Sequence, residues 1–239
     1  DPSGNYVISM NYNDTPAWPQ GADGVGRTLE YTGNGSQDAP ENWFDGCIGG
    51  SPGTAYSPCN EPIIFSEVNY HSLSSLNPGD WVELWNTSGG DIDISNWLVR
   101  NGINSASYTF AEGTILEDDQ RVVVCQDLTL FESVYTCHPI DFYVGPSGFS
   151  LDNSGETIEL ISSNGTIMNV MAYNDNEFWP QEADGLGFTL ELIDPSAPSA
   201  HPDSWVVGCA QGSPTQPYDS DCLSGISVSI DALDNVLSA

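Results

Sequence analysis

The chain has 239 residues, with 34 acidic side chains against three basic ones (Arg27, Arg100, Arg121), no lysine, and a formal charge of −31. A field of that sign repels phosphate backbones and anionic lipid headgroups, which excludes nucleic-acid binding and attachment to anionic membranes. Hydrophobic residues make up 39% and aromatic residues 10%, and the acids are scattered rather than blocked, so a folded acidic protein is predicted and not a disordered tail.

In chain order, strand-like segments open with Tyr6–Tyr12 and Thr28–Thr32. Ile63–Tyr70 reads as a strand entered after Pro62. The turn Asn77-Pro78-Gly79-Asp80 leads into Trp81–Trp85, where Trp81, Glu83 and Trp85 alternate with Val82 and Leu84. Ile92–Val99, Tyr108–Phe110 and Arg121–Cys125 continue the pattern, and only Leu128–Tyr135 suggests a short helix. Thr157–Ile161 and Ile167–Tyr173 flank the hairpin signal Ser163-Asn164-Gly165, and Thr189–Ile193 follows. After the last cysteine, Ile226, Val228 and Ile230 alternate with small residues as a half-buried strand would. Strands at this spacing, punctuated by Gly, Asn, Asp and Pro, predict an all-β antiparallel sandwich. No run of 18 apolar residues offers a membrane-spanning helix. The start at Asp1 fits a processed product or an excised segment.

One stretch occurs twice. Tyr12–Glu30 (YNDTPAWPQGADGVGRTLE) returns as Tyr173–Glu191 (YNDNEFWPQEADGLGFTLE) at a constant spacing of 161 residues. With one further residue inserted, Trp43, Cys47, Gly50-Ser51-Pro52 and Tyr56 return as Trp205, Cys209, Gly212-Ser213-Pro214 and Tyr218. A repeat of this length is a domain repeat, and it divides the chain into the closing portion of one module (1–60), a complete module (61–222) and a tail (223–239). The six cysteines fall into three local pairs, Cys47–Cys59, Cys125–Cys137 and Cys209–Cys222, the first and last being repeat counterparts. Three disulfides imply an oxidising, extracellular compartment.

The complete module resembles a lamin tail domain. The residues that carry the resemblance are Phe65-Ser66-Glu67-Val68, Gly79-Asp80-Trp81-Val82-Glu83-Leu84-Trp85-Asn86, Asp93-Ile94-Ser95-Asn96-Trp97 and Leu151–Leu160. The closing segment adds Trp179-Pro180, Ala183-Asp184-Gly185, Thr189–Leu192, Trp205 and Gly212-Ser213-Pro214. The resemblance implies an immunoglobulin-like β-sandwich used for adhesion, assembly or anchoring, without catalytic residues. Net charge and cysteines point to the secreted branch of such modules rather than to nuclear lamins.

His71, His138 and His201 are isolated, and no nucleophile, metalloprotease or phosphate-binding motif is present. The chain therefore reads as a non-enzyme. Calcium is the one cofactor the residue types suggest, since hard cations take carboxylate and amide oxygens. Candidate ligands are Asp152, Asn153 and Glu156, then Asp175 with Asp184, and Asp14 with Asp23. The competing reading is that Asp, Asn and Gly simply build turns. Sequons at Asn13, Asn34, Asn86 and Asn164 permit N-glycosylation.

The function expected is a non-catalytic extracellular structural or assembly protein. Its truncated first copy would be completed by strands of a neighbouring copy, with Ile226, Val228 and Ile230 as donor, in a head-to-tail filament or surface layer. The partners are then copies of itself or adjacent modules of one larger surface polypeptide, with no nucleic acid and no membrane insertion. The alternative is an adhesion or calcium-dependent carbohydrate-binding segment, which would need exposed tryptophans.

Overall fold

The computed structural model describes residues 2–4, 8–15, 17–55, 59, 61–102, 107–135, 143–145, 150–197 and 199–223. Its strands are β1 (Leu29–Tyr31), β2 (Trp43–Asp45), β3 (Ile63–Asn69), β4 (Trp81–Asn86), β5 (Ile92–Asp93), β6 (Leu98–Asn101) and β7 (Ser107–Thr109). They continue with β8 (Ile115–Leu116), β9 (Arg121–Cys125), β10 (Tyr143–Val144), β11 (Gly155–Ile161), β12 (Ile167–Asn174), β13 (Phe188–Leu192) and β14 (Trp205–Ala210). A single α-helix among them, α1 (Leu128–Val134), follows β9.

Two sheets face each other, one ordered β10-β9-β4-β3-β13-β14 and the other β12-β11-β6-β7. Neighbouring strands are antiparallel except β10, which runs parallel to β9. The period-two alternation of each strand sends one set of side chains into the gap. Phe65, Val68, Val82, Leu84, Val122, Val124 and Leu190 meet Val99, Ile158, Leu160, Met171 and Tyr173 there in one continuous core. This is the immunoglobulin-like antiparallel β-sandwich expected from the sequence.

The opposite face of the larger sheet is also covered. Trp81, Val123 and Cys125 point outward beneath α1, whose Phe131 packs edge-on against the Trp81 ring at 5.9 Å. The helix starts where the Asp127 carboxylate accepts from the amides of Thr129 and Leu130, an N-cap that satisfies two otherwise unpaired donors. Tyr135, just beyond its end, donates its hydroxyl to the Gln211 carbonyl.

Three expectations change. The segment Ile92–Val99 is two strands, because Asn96 adopts φ 61° and the turn closed by Trp97 N–H on Ile94 C=O breaks the ladder. Within the expected strand Tyr6–Tyr12, residues 8–12 are not in a sheet, for a reason given below. Cys47–Cys59 and Cys209–Cys222 are bonded, with Cα–Cα separations of 5.3 and 5.5 Å, but the pairing Cys125–Cys137 is not made. Cys125 is a free thiol on the outward face of β9, buried in the cluster under α1 with its Sγ on the Val144 carbonyl at 3.3 Å. Burial pushes that thiol up to about 11, and Cys137 lies outside the described residues.

Candidate assembly site: a carboxylate nest and its open duplicate

The outward-facing positions of β3, β4, β9 and β13 that α1 does not cover are polar. Alternation places Glu67, Glu83, Arg121 and Glu191 side by side there, and the loop Gly212–Tyr218 closes over them around a cavity of about 150 Å³. Glu83 accepts from Ser66 Oγ (2.6 Å) and from the Thr215 amide (2.6 Å), and it faces Arg121 Nε at 3.3 Å. Arg121 is held by the Trp85 ring, 4.1 Å from its guanidinium carbon. Glu67 Oε1 accepts from Thr189 Oγ1 (2.6 Å) and the Ser213 amide (2.9 Å). Glu191 Oε1 accepts from the Cys209 amide (3.1 Å) and Ser213 Oγ (3.0 Å).

One arginine cannot neutralise three buried carboxylates, so part of the nest stays protonated. Burial drives the Glu67 carboxyl well above its ordinary range, and the charges of Glu191 and Glu83 push it the same way. Burial also raises Glu83 to about 7 and lifts Glu191. The nest fastens the closing loop to three strands. Gly208 and Gly212 make room for it, since a Cβ at Gly212 would stand 2.5 Å from Glu67 Oε1 and one at Gly208 2.6 Å from Glu191 Oε1.

The first copy repeats the closing segment of the complete copy in several of its hydrogen bonds. Its single-turn 3-10 helix Gln20–Ala22 matches Gln181–Ala183, and the next residues, Asp23 and Asp184, share φ/ψ of −88/78° and −86/79°. Gln20 Nε2 donates to the Trp18 carbonyl at 2.8 Å and Gln181 Nε2 to that of Trp179 at 3.0 Å. Trp43 Nε1 reaches the carbonyl of Gln37 as Trp205 Nε1 reaches that of Ser199, both at 3.0 Å. β1 pairs β2 in the register of β13 on β14, with Tyr31 opposite Trp43 and Leu192 opposite Trp205. The duplicated residues are structural, as the Pro, Asp-Gly and Gly positions of the repeat suggest.

The two copies differ in what surrounds them. β13 continues into a six-stranded sheet through β3, whereas β1 and β2 form a sheet by themselves among the described residues. By the repeat spacing, residues 6–13 correspond to β12. There Asn169, Met171 and Tyr173 are 0, 0 and 3% exposed, while Ile8, Met10 and Tyr12 are 72, 36 and 73% exposed. Among the described residues no strand lies beside residues 8–12, and they form none.

The first copy docks on the complete one through a small interface. Val25 and Ile48 pack against Ile167, Val170, Ala172 and Ala200. Arg27 enters the seam and contacts Glu61 at 2.7 Å, with the Gly46 carbonyl at 3.3 Å and Ser199 Oγ at 3.4 Å. Asn169 Nδ2 donates to the same Glu61 at 2.6 Å.

The proposed cation ligands behave as turn builders. Asp152 Oδ1 is taken by Ser154 N and Oγ (2.8 and 2.6 Å), and Glu156 Oε1 by the Asp152 amide (2.9 Å). Asp184 pairs with His71 Nδ1 at 2.6 Å. Asn153, Asp175, Asp14 and Asp23 stand exposed. Among the described residues no three His, Cys, Asp or Glu side chains come together as a metal ligand set. Asn86 is no glycan acceptor in the folded chain. It is buried, and its Nδ2 donates to the carbonyls of Gly90, Leu116 and Glu117 at 2.8–2.9 Å. Asn13, Asn34 and Asn164 are exposed. None of the seven tryptophans is exposed, so the exposed tryptophans that the carbohydrate-binding alternative asks for are not there. Ile226, Val228 and Ile230 lie outside the described residues.

Sequence reasoning quoted Glu67, Glu83 and Glu191 as parts of motifs but did not bring them together. The available signal was an acidic residue on the outward register of strands whose other residues are apolar. No helix among the described residues is long and apolar enough to cross a membrane. No curated protein matches the chain. Residues 57–175, from just before β3 to just after β12, match the family described as Lamin Tail Domain, and through them the chain belongs to that family.

Proposed function

We propose that this is a non-catalytic extracellular structural protein that works by module completion. Residues 61–222 act as a self-sufficient sandwich, and residues 1–60 as the closing portion of a second one, awaiting strands from another copy or from an adjacent module of the same polypeptide. The observation that carries this reading is the contrast between Ile8, Met10 and Tyr12 in water and their counterparts Asn169, Met171 and Tyr173, which are buried in the complete copy. An apolar strip on an unpaired segment beside an open sheet edge is a template for strand addition. Completion that runs head to tail does not close on itself and yields a filament or layer. The two disulfides and the excess of negative charge suit a secreted protein.

Light scattering on a concentration series tests the reading. Self-association that grows with concentration is expected, and the double substitution Ile8→Asp with Tyr12→Asp should abolish it while circular dichroism and thermal unfolding stay unchanged. A chain that remains monomeric at every concentration would remove the self-assembly form of the proposal.

A further inference from the structure

We infer that the open edge of β1 is a receptor for a glutamate-bearing β-strand, of the kind β3 supplies in the complete copy, brought by the front part of another module of this type. The inference rests on the reading of the first copy as an open half-module and names what its edge recognises.

In the complete copy β3 lies antiparallel on β13, with Val68 opposite Leu190 and Glu67 opposite Glu191. The arriving carboxyl of Glu67 is taken by two convergent donors, Thr189 Oγ1 at 2.6 Å and the Ser213 amide at 2.9 Å. Gly212, at φ 83°, leaves the space in which that carboxyl sits. Every element of this cradle is duplicated in the first copy. Leu29 and Glu30 stand at the positions of Leu190 and Glu191, Thr28 at that of Thr189, and Ser51 at that of Ser213. Gly50 replaces Gly212 with φ 70°. Ser51 Oγ donates to Glu30 Oε1 at 2.8 Å, as Ser213 Oγ donates to Glu191 Oε1 at 3.0 Å. The Cys47–Cys59 disulfide anchors the loop as Cys209–Cys222 anchors its counterpart.

One hydrogen bond differs. Thr28 Oγ1 turns onto Glu30 of its own strand at 3.1 Å, where Thr189 Oγ1 binds the incoming Glu67. Released from Glu30, the Thr28 hydroxyl together with the Ser51 amide would offer the two donors of the complete copy, beside a carboxylate and next to a glycine, to an acceptor on an extended strand with an apolar residue next to it. The tail around Ile226, Val228 and Ile230 alternates with serines, and its nearest acid, Asp231, has a side chain one carbon shorter than the glutamate this cradle takes in the complete copy.

Calorimetric titration of the full chain with two synthetic peptides tests this. A peptide of residues 61–88, which carries β3 and β4, is expected to bind one per chain, and a peptide of residues 224–239 is not expected to compete for the site. Changing Glu67→Leu in the first peptide, or Thr28→Val in the chain, should weaken binding about tenfold, the loss for a hydrogen bond to a charged group. Circular dichroism would verify that the Thr28→Val chain is folded. Absence of binding by the 61–88 peptide, binding indifferent to Glu67→Leu, or preference for the tail peptide would each overturn the inference. Self-association that Ile8→Asp with Tyr12→Asp abolishes, without any peptide binding, would sink this inference alone. Peptide binding by a chain that never self-associates would sink only self-assembly.

Discussion

At the scale of residues, the molecule uses its few cations sparingly. Each of the three arginines faces a carboxylate: Arg27 meets Glu61, Arg100 meets Glu159 at 2.5 Å, and Arg121 meets Glu83. Among the other acids, some are held in turns, and the buried carboxyls, Glu83 included, are shifted by their burial. Asp93, Asp152 and Asp194 each accept from a serine two residues on, which holds them below the usual carboxylate range. Glu67, Glu83, Glu191 and Asp80 are raised mainly by burial, Glu83 to about 7 and Asp80 to about 6. For the raised group the folded chain binds protons that the unfolded chain has released, so their contribution to stability is present below pH about 4 and is lost as pH rises through about 7. The lowered group works in the opposite sense and loses its contribution as pH falls below about 4. Maximum stability is therefore expected between about pH 4 and 6. Thermal unfolding should give a higher Tm at pH 5 than at pH 8, with the gap narrowed by Glu83→Gln. A Tm that rises from pH 5 to pH 8 would contradict the nest as described.

At the scale of elements, the first copy shows what local sequence can and cannot build. The 3-10 turn, the β1–β2 pairing and the indole hydrogen bond of Trp43 form without the rest of a module, because their partners lie within about 30 residues of each other. Of the strand expected at Tyr6–Tyr12, residues 8–12 form none, because their hydrogen-bonding neighbour would have to come from a strand resembling β11. Repeat, strand alternation and the helix near Leu128 were legible in the sequence for the same reason: each is a local pattern. The nest was not, because it depends on the sheet order β4-β3-β13, which joins Glu83 to Glu191 across more than a hundred residues. The Asn86 sequon misled likewise, since only the packed sheet shows that its amide is spent on three carbonyls. Among the described residues, what holds the first copy in place is the buried Arg27–Glu61 ion pair, the Arg27–Ser199 hydrogen bond and a few aliphatic contacts. Arg27→Ala leaves Glu61 without its charge partner in a largely buried seam and should cost about 3 kcal/mol. Limited proteolysis is expected to release residues 1–60 from that variant before the sandwich unfolds. Release at the wild-type rate would show that the seam does not depend on Arg27.

For the whole molecule, the central claim is that one chain carries a finished module and the closing part of another. On the proposed reading, the open module awaits strands that cover Ile8, Met10 and Tyr12, and an edge partner for Leu29–Tyr31. Proteins that expose strand edges risk uncontrolled pairing, and the charge of −31 opposes indiscriminate aggregation. Assembly by completion then needs a matched partner rather than any apolar surface. Amide hydrogen exchange followed by mass spectrometry, from dilute to concentrated protein, tests this claim most directly. Residues 8–12 and 29–31 should exchange freely when dilute and become protected together as the chain assembles, with β3 and β13 protected throughout. Equal protection of residues 8–12 and 29–31 at every concentration, whether high or low, would contradict the open half-module.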